Sequence, residues 1–137
     1  MYEKDIKYTD YDGVERVEKA RFNLSQAELT QYAYSVEGGL YNYINRLITR
    51  RDTPKLMEMF NEIIAKSYGV KSADGRRFEK SPELTKEFME TEAYSVFFME
   101  LATNPEAINE FLNGIMPVKL TKEEIEKATK DLSIPQN

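Results

Sequence analysis

The hydrophobic period of the chain changes at Ser25, from about two residues to about 3.6. The first period belongs to extended chain with one covered face and the second to an amphipathic helix. The chain therefore has to begin in strands and continue in helices. Ahead of the switch, Tyr2, Ile6 and Tyr8 hold even positions, Asp10-Tyr-Asp-Gly13 supplies turn chemistry, and 14–22 runs on with Ala20 and Phe22 on one face. Asp-Gly between two such runs predicts an antiparallel hairpin, because glycine accepts the positive φ of a tight turn. The alternation fails at Val17, which predicts a bulge or a partly exposed second strand.

Behind the switch, helix signals come in series. Ser25-Gln-Ala-Glu28 is a capping box, and Leu29, Tyr32, Ala33 and Val36 form an apolar face that Gly38-Gly39 ends. Leu40, Tyr43, Ile44, Leu47 and Ile48 repeat the pattern up to Arg50-Arg51, cations suited to a helix C-terminus. Thr53-Pro54 opens a helix whose buried face is Leu56, Phe60, Ile63 and Ile64, with Gly69 as its cap. Residues 70–80, including Asp74-Gly75 and Arg76-Arg77, read as a polar connection. Ser81-Pro82 starts a helical region that runs to Thr103, either as one helix or as two that bend near Thr91-Glu92. Asn104-Pro105 opens another with Ile108, Phe111 and Leu112 inward, Pro117 ends it, and Thr121-Lys-Glu-Glu124 is a second capping box.

These signals define an expected α+β, mainly α fold: an N-terminal β-hairpin followed by a bundle of about five or six short helices. The 137 residues suit one domain, 1–137, divided into a hairpin at 2–22, a helical body at 25–132 and a flexible tail at 133–137. Nine Tyr and seven Phe, within a hydrophobic fraction of 41%, are enough to build a core. Two strands alone are marginal in water, so the hairpin needs a helix across one face or another chain along one edge. Self-association through that edge is expected unless the charges Glu15, Arg16, Glu18, Lys19 and Arg21 protect it.

Cys and His are both absent, which removes disulfides, thiolate nucleophiles, imidazole bases and ordinary zinc sites. With 19 basic against 24 acidic residues the chain carries a net charge of −5, unsuited to non-specific nucleic-acid binding. No stretch approaches the ~20 apolar residues of a membrane span. The N-terminus lacks the basic and apolar regions of a secretory signal, so a soluble cytoplasmic protein is expected. Asp10-Tyr-Asp-Gly13 is not a calcium loop, since its first and twelfth positions would be Tyr8 and Lys19. Gly69-Val-Lys-Ser72 lacks the glycine and the Gly-Lys-Ser order of a phosphate loop. Carboxylate pairs such as Glu58 and Glu62, or Glu83 and Glu87, lie at the spacing of solvated helix faces. Arg50-Arg51 and Arg76-Arg77 read as helix-end and loop charge rather than a nucleic-acid patch. The expectation is a non-catalytic protein without metal or cofactor.

Two aromatic-rich segments stand out: Tyr32, Tyr34, Tyr41 and Tyr43 around Gly38-Gly39, and Tyr94-Ser-Val-Phe-Phe-Met99. The second is apolar nearly all round, more than one narrow face can bury, so it is either central core or core plus a contact surface. Its partner-binding candidates are Tyr94, Phe97, Phe98 and Met99, with Phe111 and Ile115 of the neighbouring helix. The Tyr32 to Tyr43 cluster is the next candidate.

The order of motifs carries a resemblance. Tyr8-Thr-Asp-Tyr-Asp-Gly13 leads into Phe22-Asn-Leu-Ser-Gln-Ala-Glu-Leu29 and Glu37-Gly-Gly-Leu40. Then come Lys66-Ser-Tyr-Gly-Val-Lys-Ser-Ala-Asp-Gly-Arg-Arg-Phe78, Thr91-Glu-Ala-Tyr-Ser95, Met99-Glu-Leu-Ala-Thr103 and Phe111-Leu-Asn-Gly-Ile115. This pattern, over residues 2–117, resembles the tail assembly chaperones of long-tailed bacteriophages. The resemblance implies a protein that binds the helical tape-measure protein, keeps it soluble and assists tail-tube subunits in assembling around it. It further implies a place in the host bacterial cytoplasm and absence from the mature virion. The competing readings are a virion structural (tail or connector) protein and a phage inhibitor of a host defence protein.

Overall fold

A computed structural model describes residues 1–34, 43, 46–47 and 49–115 of the chain. The expectations for the Gly38-Gly39 break, the Pro117 stop, the Thr121 capping box and the tail lie outside the described residues. Strands β1 (Tyr2–Thr9) and β2 (Glu15–Phe22) form the expected hairpin, in unbroken register from Tyr2 opposite Phe22 to Thr9 opposite Glu15. There is no bulge. Val17 is instead 63% exposed, on the open half of β2. The turn is locked by Asp10, whose Oδ1 accepts the Asp12 and Val14 amides, both at 2.9 Å, while Gly13 takes φ 81°. The Arg16 guanidinium, at 2.5 Å, and then the Val14 amide hold the Asp10 carboxyl below its usual pKa.

The capping box closes as expected over helix α1 (Gln26–Tyr34): the Glu28 amide donates to Ser25 Oγ at 3.1 Å and the Ser25 amide to Glu28 Oε1 at 3.0 Å. Helix α2 (Thr53–Ser67), capped by Asp52 and entered through Pro54, buries Met59, Phe60, Ile63 and Ile64.

The segment after α2 corrects the expected architecture. Gly69 does not cap the helix, and 70–80 is not a mere connection. Strand β3 (Tyr68–Lys71) leaves α2 directly and pairs with β2, Arg21 opposite Gly69 and Phe22 opposite Tyr68. Strand β4 (Phe78–Glu79) then returns along β3 to complete an antiparallel sheet of order β1-β2-β3-β4. The second Asp-Gly makes the turn: Asp74 accepts from Ser72 Oγ at 2.7 Å and the Arg76 amide at 3.0 Å, with Gly75 at φ 76°. Part of the hairpin's β2 edge is thus covered from within the chain, which relieves the weakness of an isolated two-stranded ribbon.

Gly69 is required for space. A Cβ there would lie 2.6 Å from Phe78 Cε2 and 2.8 Å from the Glu79 carbonyl oxygen. The ring can turn aside but the backbone oxygen cannot without opening the strand pair. Gly69→Ala is expected to cost about 1–3 kcal/mol, the usual penalty of overpacking. Thermal melting, with faster amide exchange at Val70, would register it.

Three more helices lie against one face of the sheet: α3 (Pro82–Met89), α4 (Glu92–Thr103) and α5 (Pro105–Ile115). The 81–103 region is two helices, because the Thr91 hydroxyl and amide both turn back onto the Phe88 carbonyl, at 2.6 and 3.0 Å. The core lies between sheet and helices rather than along the axis of a bundle. Phe22 is its centre, stacked on Phe97 at 4.9 Å and edge-on to Phe111 at 5.4 Å, Tyr68 at 5.7 Å and Phe88 at 5.8 Å. The expected hairpin with an attached helical bundle is replaced by a four-stranded sheet with five described helices, three of them packed on its inner face.

Candidate partner-binding surface

Helix α4 owes its position to both ends of its sequence. Thr91 caps it by accepting the Tyr94 amide at 3.4 Å, and the Asn104 amide closes it on the Glu100 carbonyl. Every fourth residue, Ala93, Phe97 and Leu101, is buried to 1% exposure or less. Lys4 of β1 reaches Glu100 at 2.8 Å, and the Tyr11 hydroxyl donates to the Glu90 carbonyl, so α4 runs antiparallel to β1 beneath it. The Glu100 carboxylate at this distance raises the Lys4 ammonium above its usual pKa. On the other flank the Tyr94 hydroxyl donates to Asn61 Oδ1 of α2, and burial raises the Tyr94 pKa.

The six candidates separate into two groups. Phe97, Phe111 and Ile115 are core: Phe97 and Phe111 meet at 5.4 Å, and the Ile115 carbonyl accepts the Leu24 amide at 2.9 Å. Tyr94 and Phe98 are half-buried, 5.9 Å apart. Met99 is 53% exposed. Val96, 40% exposed, also belongs to the outer side of α4 and was not among the candidates. Its signal is its place three residues before Met99 and about 100° around the helix from Phe97.

The remaining motifs resolve into structure. Both carboxylate oxygens of Asp10 are committed to the first turn, and Lys71 and Ser72 stand at the end of β3. Arg77 pairs with Glu79 at 3.4 Å in the exposed second turn. Among the described residues no group of acidic side chains is arranged to hold a metal, and no helix is long and apolar enough to cross a membrane.

The connection between sheet and α1 carries a pH dependence. Lys80 donates to the Asn23 carbonyl at 2.6 Å and to Glu28 Oε2 at 2.7 Å. Burial alone would raise the Glu28 carboxyl, but Lys80 and the Ser25 amide outweigh it and hold its pKa below 4.5. The folded state therefore binds this proton less readily than the unfolded one. The contribution is complete above pH 4.5 and is lost as pH falls through the lower, folded-state value. Glu28→Gln is expected to make the acid side of the stability–pH curve shallower, as measured by urea unfolding across that range.

Among curated proteins and solved structures no similar chain was found. A family model described as phage tail assembly chaperone matches residues 1–137, the whole chain. The protein belongs to the phage tail assembly chaperone family.

Proposed function

We propose that this chaperone acts in the host cytoplasm by binding the tape-measure protein, keeping it soluble while tail-tube subunits assemble around it, and departing before the particle is complete. The role is one of binding and release, without catalysis. The observation that carries the reading is Met99, which stays more than half exposed after the core has closed. Beside it Phe98 and Tyr94 present partly covered aromatic surface on the same helix. Met adapts to varied apolar partners, and apolar side chains spaced along one helix suit the apolar face of a partner helix.

Co-expression tests this. With the wild-type chaperone, the tape-measure protein is expected in the soluble fraction and to co-purify with it. Met99→Glu is expected to lower the co-purified amount about tenfold, the scale of one interface anchor, with an unchanged melting curve. A tape-measure protein equally soluble without the chaperone, or recovered equally with Met99→Glu, would refute the reading. Detection of the chain in purified particles at tail-protein stoichiometry would point to a structural role instead.

A further inference from the structure

The edge of the sheet carries an independent inference. β1 is the first strand in the order β1-β2-β3-β4 and is eight residues long, without proline or bulge. The Asp10 amide donates to the Val14 carbonyl, so pair 10–14 is of the hydrogen-bonded kind. Alternation then makes Tyr8, Ile6, Lys4 and Tyr2 the residues bonded to β2. The N–H and C=O groups of Glu3, Asp5, Lys7 and Thr9 point away from the sheet, and no described residue takes them up. All four side chains are exposed.

We infer that this edge is a docking surface for a second copy of the chain, the two β1 strands pairing antiparallel about a two-fold axis at Ile6. The charges select that register. Centred on Ile6, Asp5 of each copy faces Lys7 of the other, and Glu3 faces the neutral Thr9. Moving the centre to Asp5 opposes two carboxylates, and moving it to Lys7 opposes two ammonium groups. A one-residue slip would turn the helix-covered face of one copy to the outer face of the other. A two-fold axis perpendicular to the sheet reverses the strand direction and keeps each face on its own side, so the pairing is antiparallel. The charges that shield this edge from arbitrary strands therefore match it to itself.

The helix beneath fixes the position of the strand. α4 is tied to β1 by the Lys4–Glu100 pair at 2.8 Å, and the Tyr11 hydroxyl of the turn donates to the Glu90 carbonyl just ahead of the helix. The pairing joins two sheets into one continuous sheet with the helices of both copies on the same side.

The chain has no cysteine, so disulfide trapping is clean. Facing residues of a hydrogen-bonded pair stand about 5.5 Å apart between Cα atoms, within disulfide reach. Mixing Asp5→Cys with Lys7→Cys is expected to give cross-linked dimer at least about tenfold faster than either variant alone, because like positions would lie beyond the ~7 Å limit. In sedimentation equilibrium of the full chain, Asp5→Lys and Lys7→Asp are each expected to weaken the dimer about tenfold, and the double reversal to restore it. Melting curves establish that each variant is folded. A wild-type chain that stays monomeric would overturn the proposal, whether its edge is left open or covered by the rest of the chain. So would fastest cross-linking by Asp5→Cys alone, dimerisation indifferent to both charge reversals, or pairing of β1 with a different tail protein only.

Discussion

Phe22→Ala is expected to destabilise the protein by about 3–5 kcal/mol, the range for removing a large aromatic side chain from a closed core. Whole domains are stable by only about 5–15 kcal/mol, so this one change removes a large share of the total. The size of the effect is set by position. Phe22 has no exposed surface and contacts rings from every layer: Tyr2 and Tyr68 from the sheet, Phe88, Phe97 and Phe111 from three helices. Five rings cannot collapse together into the space of one without moving helices that are also tied elsewhere, α4 through Lys4 and Tyr94 and α5 through Leu24. The cavity therefore persists, and its cost adds to the lost transfer energy. A urea titration followed by circular dichroism would measure the change. A loss below about 1 kcal/mol would be incompatible with a core centred between sheet and helices.

The contrast between the two hairpins shows what the sequence makes legible. The first has eight-residue strands, an Asp-Gly turn and alternation strong enough to read, and each feature reports the same structure. The second also has an Asp-Gly turn, but its strands are four and two residues long. Too few positions exist there for a period of two to appear. β3 also begins without a breaker, since the Ser67 hydroxyl turns back to the Ile63 carbonyl at 2.6 Å and α2 runs straight into the strand. Gly69 reads as a helix cap because glycine is common there, whereas its actual constraint is the Glu79 carbonyl oxygen across the strand pair, which only the fold brings near. Caps were legible for the opposite reason. Ser25 with Glu28 and Ser81 with Leu84 are bonds within three residues, independent of tertiary contacts.

The same limit applies to the binding surface. A helix that is apolar nearly all round does not reveal which side faces the core until the position of the sheet is known. Phe97 and Met99 are two residues apart, about 200° around the helix, and β1 with β2 lies on the side of Phe97. Phe97→Ser is therefore expected to cost about 3–5 kcal/mol or to prevent folding altogether, through the cavity and a buried hydroxyl without a partner. Met99→Ser is expected to change stability by no more than about 0.5 kcal/mol, as at other exposed positions. Thermal melting of the two variants side by side checks the orientation of α4 without reference to any partner. The contrast also bears on experiments with the tape-measure protein. A loss of binding in Phe97→Ser would report an unfolded chaperone, since that side chain is stacked on Phe22 and 1% exposed. A loss in a Met99 variant would report the surface itself, because the core beneath it remains closed.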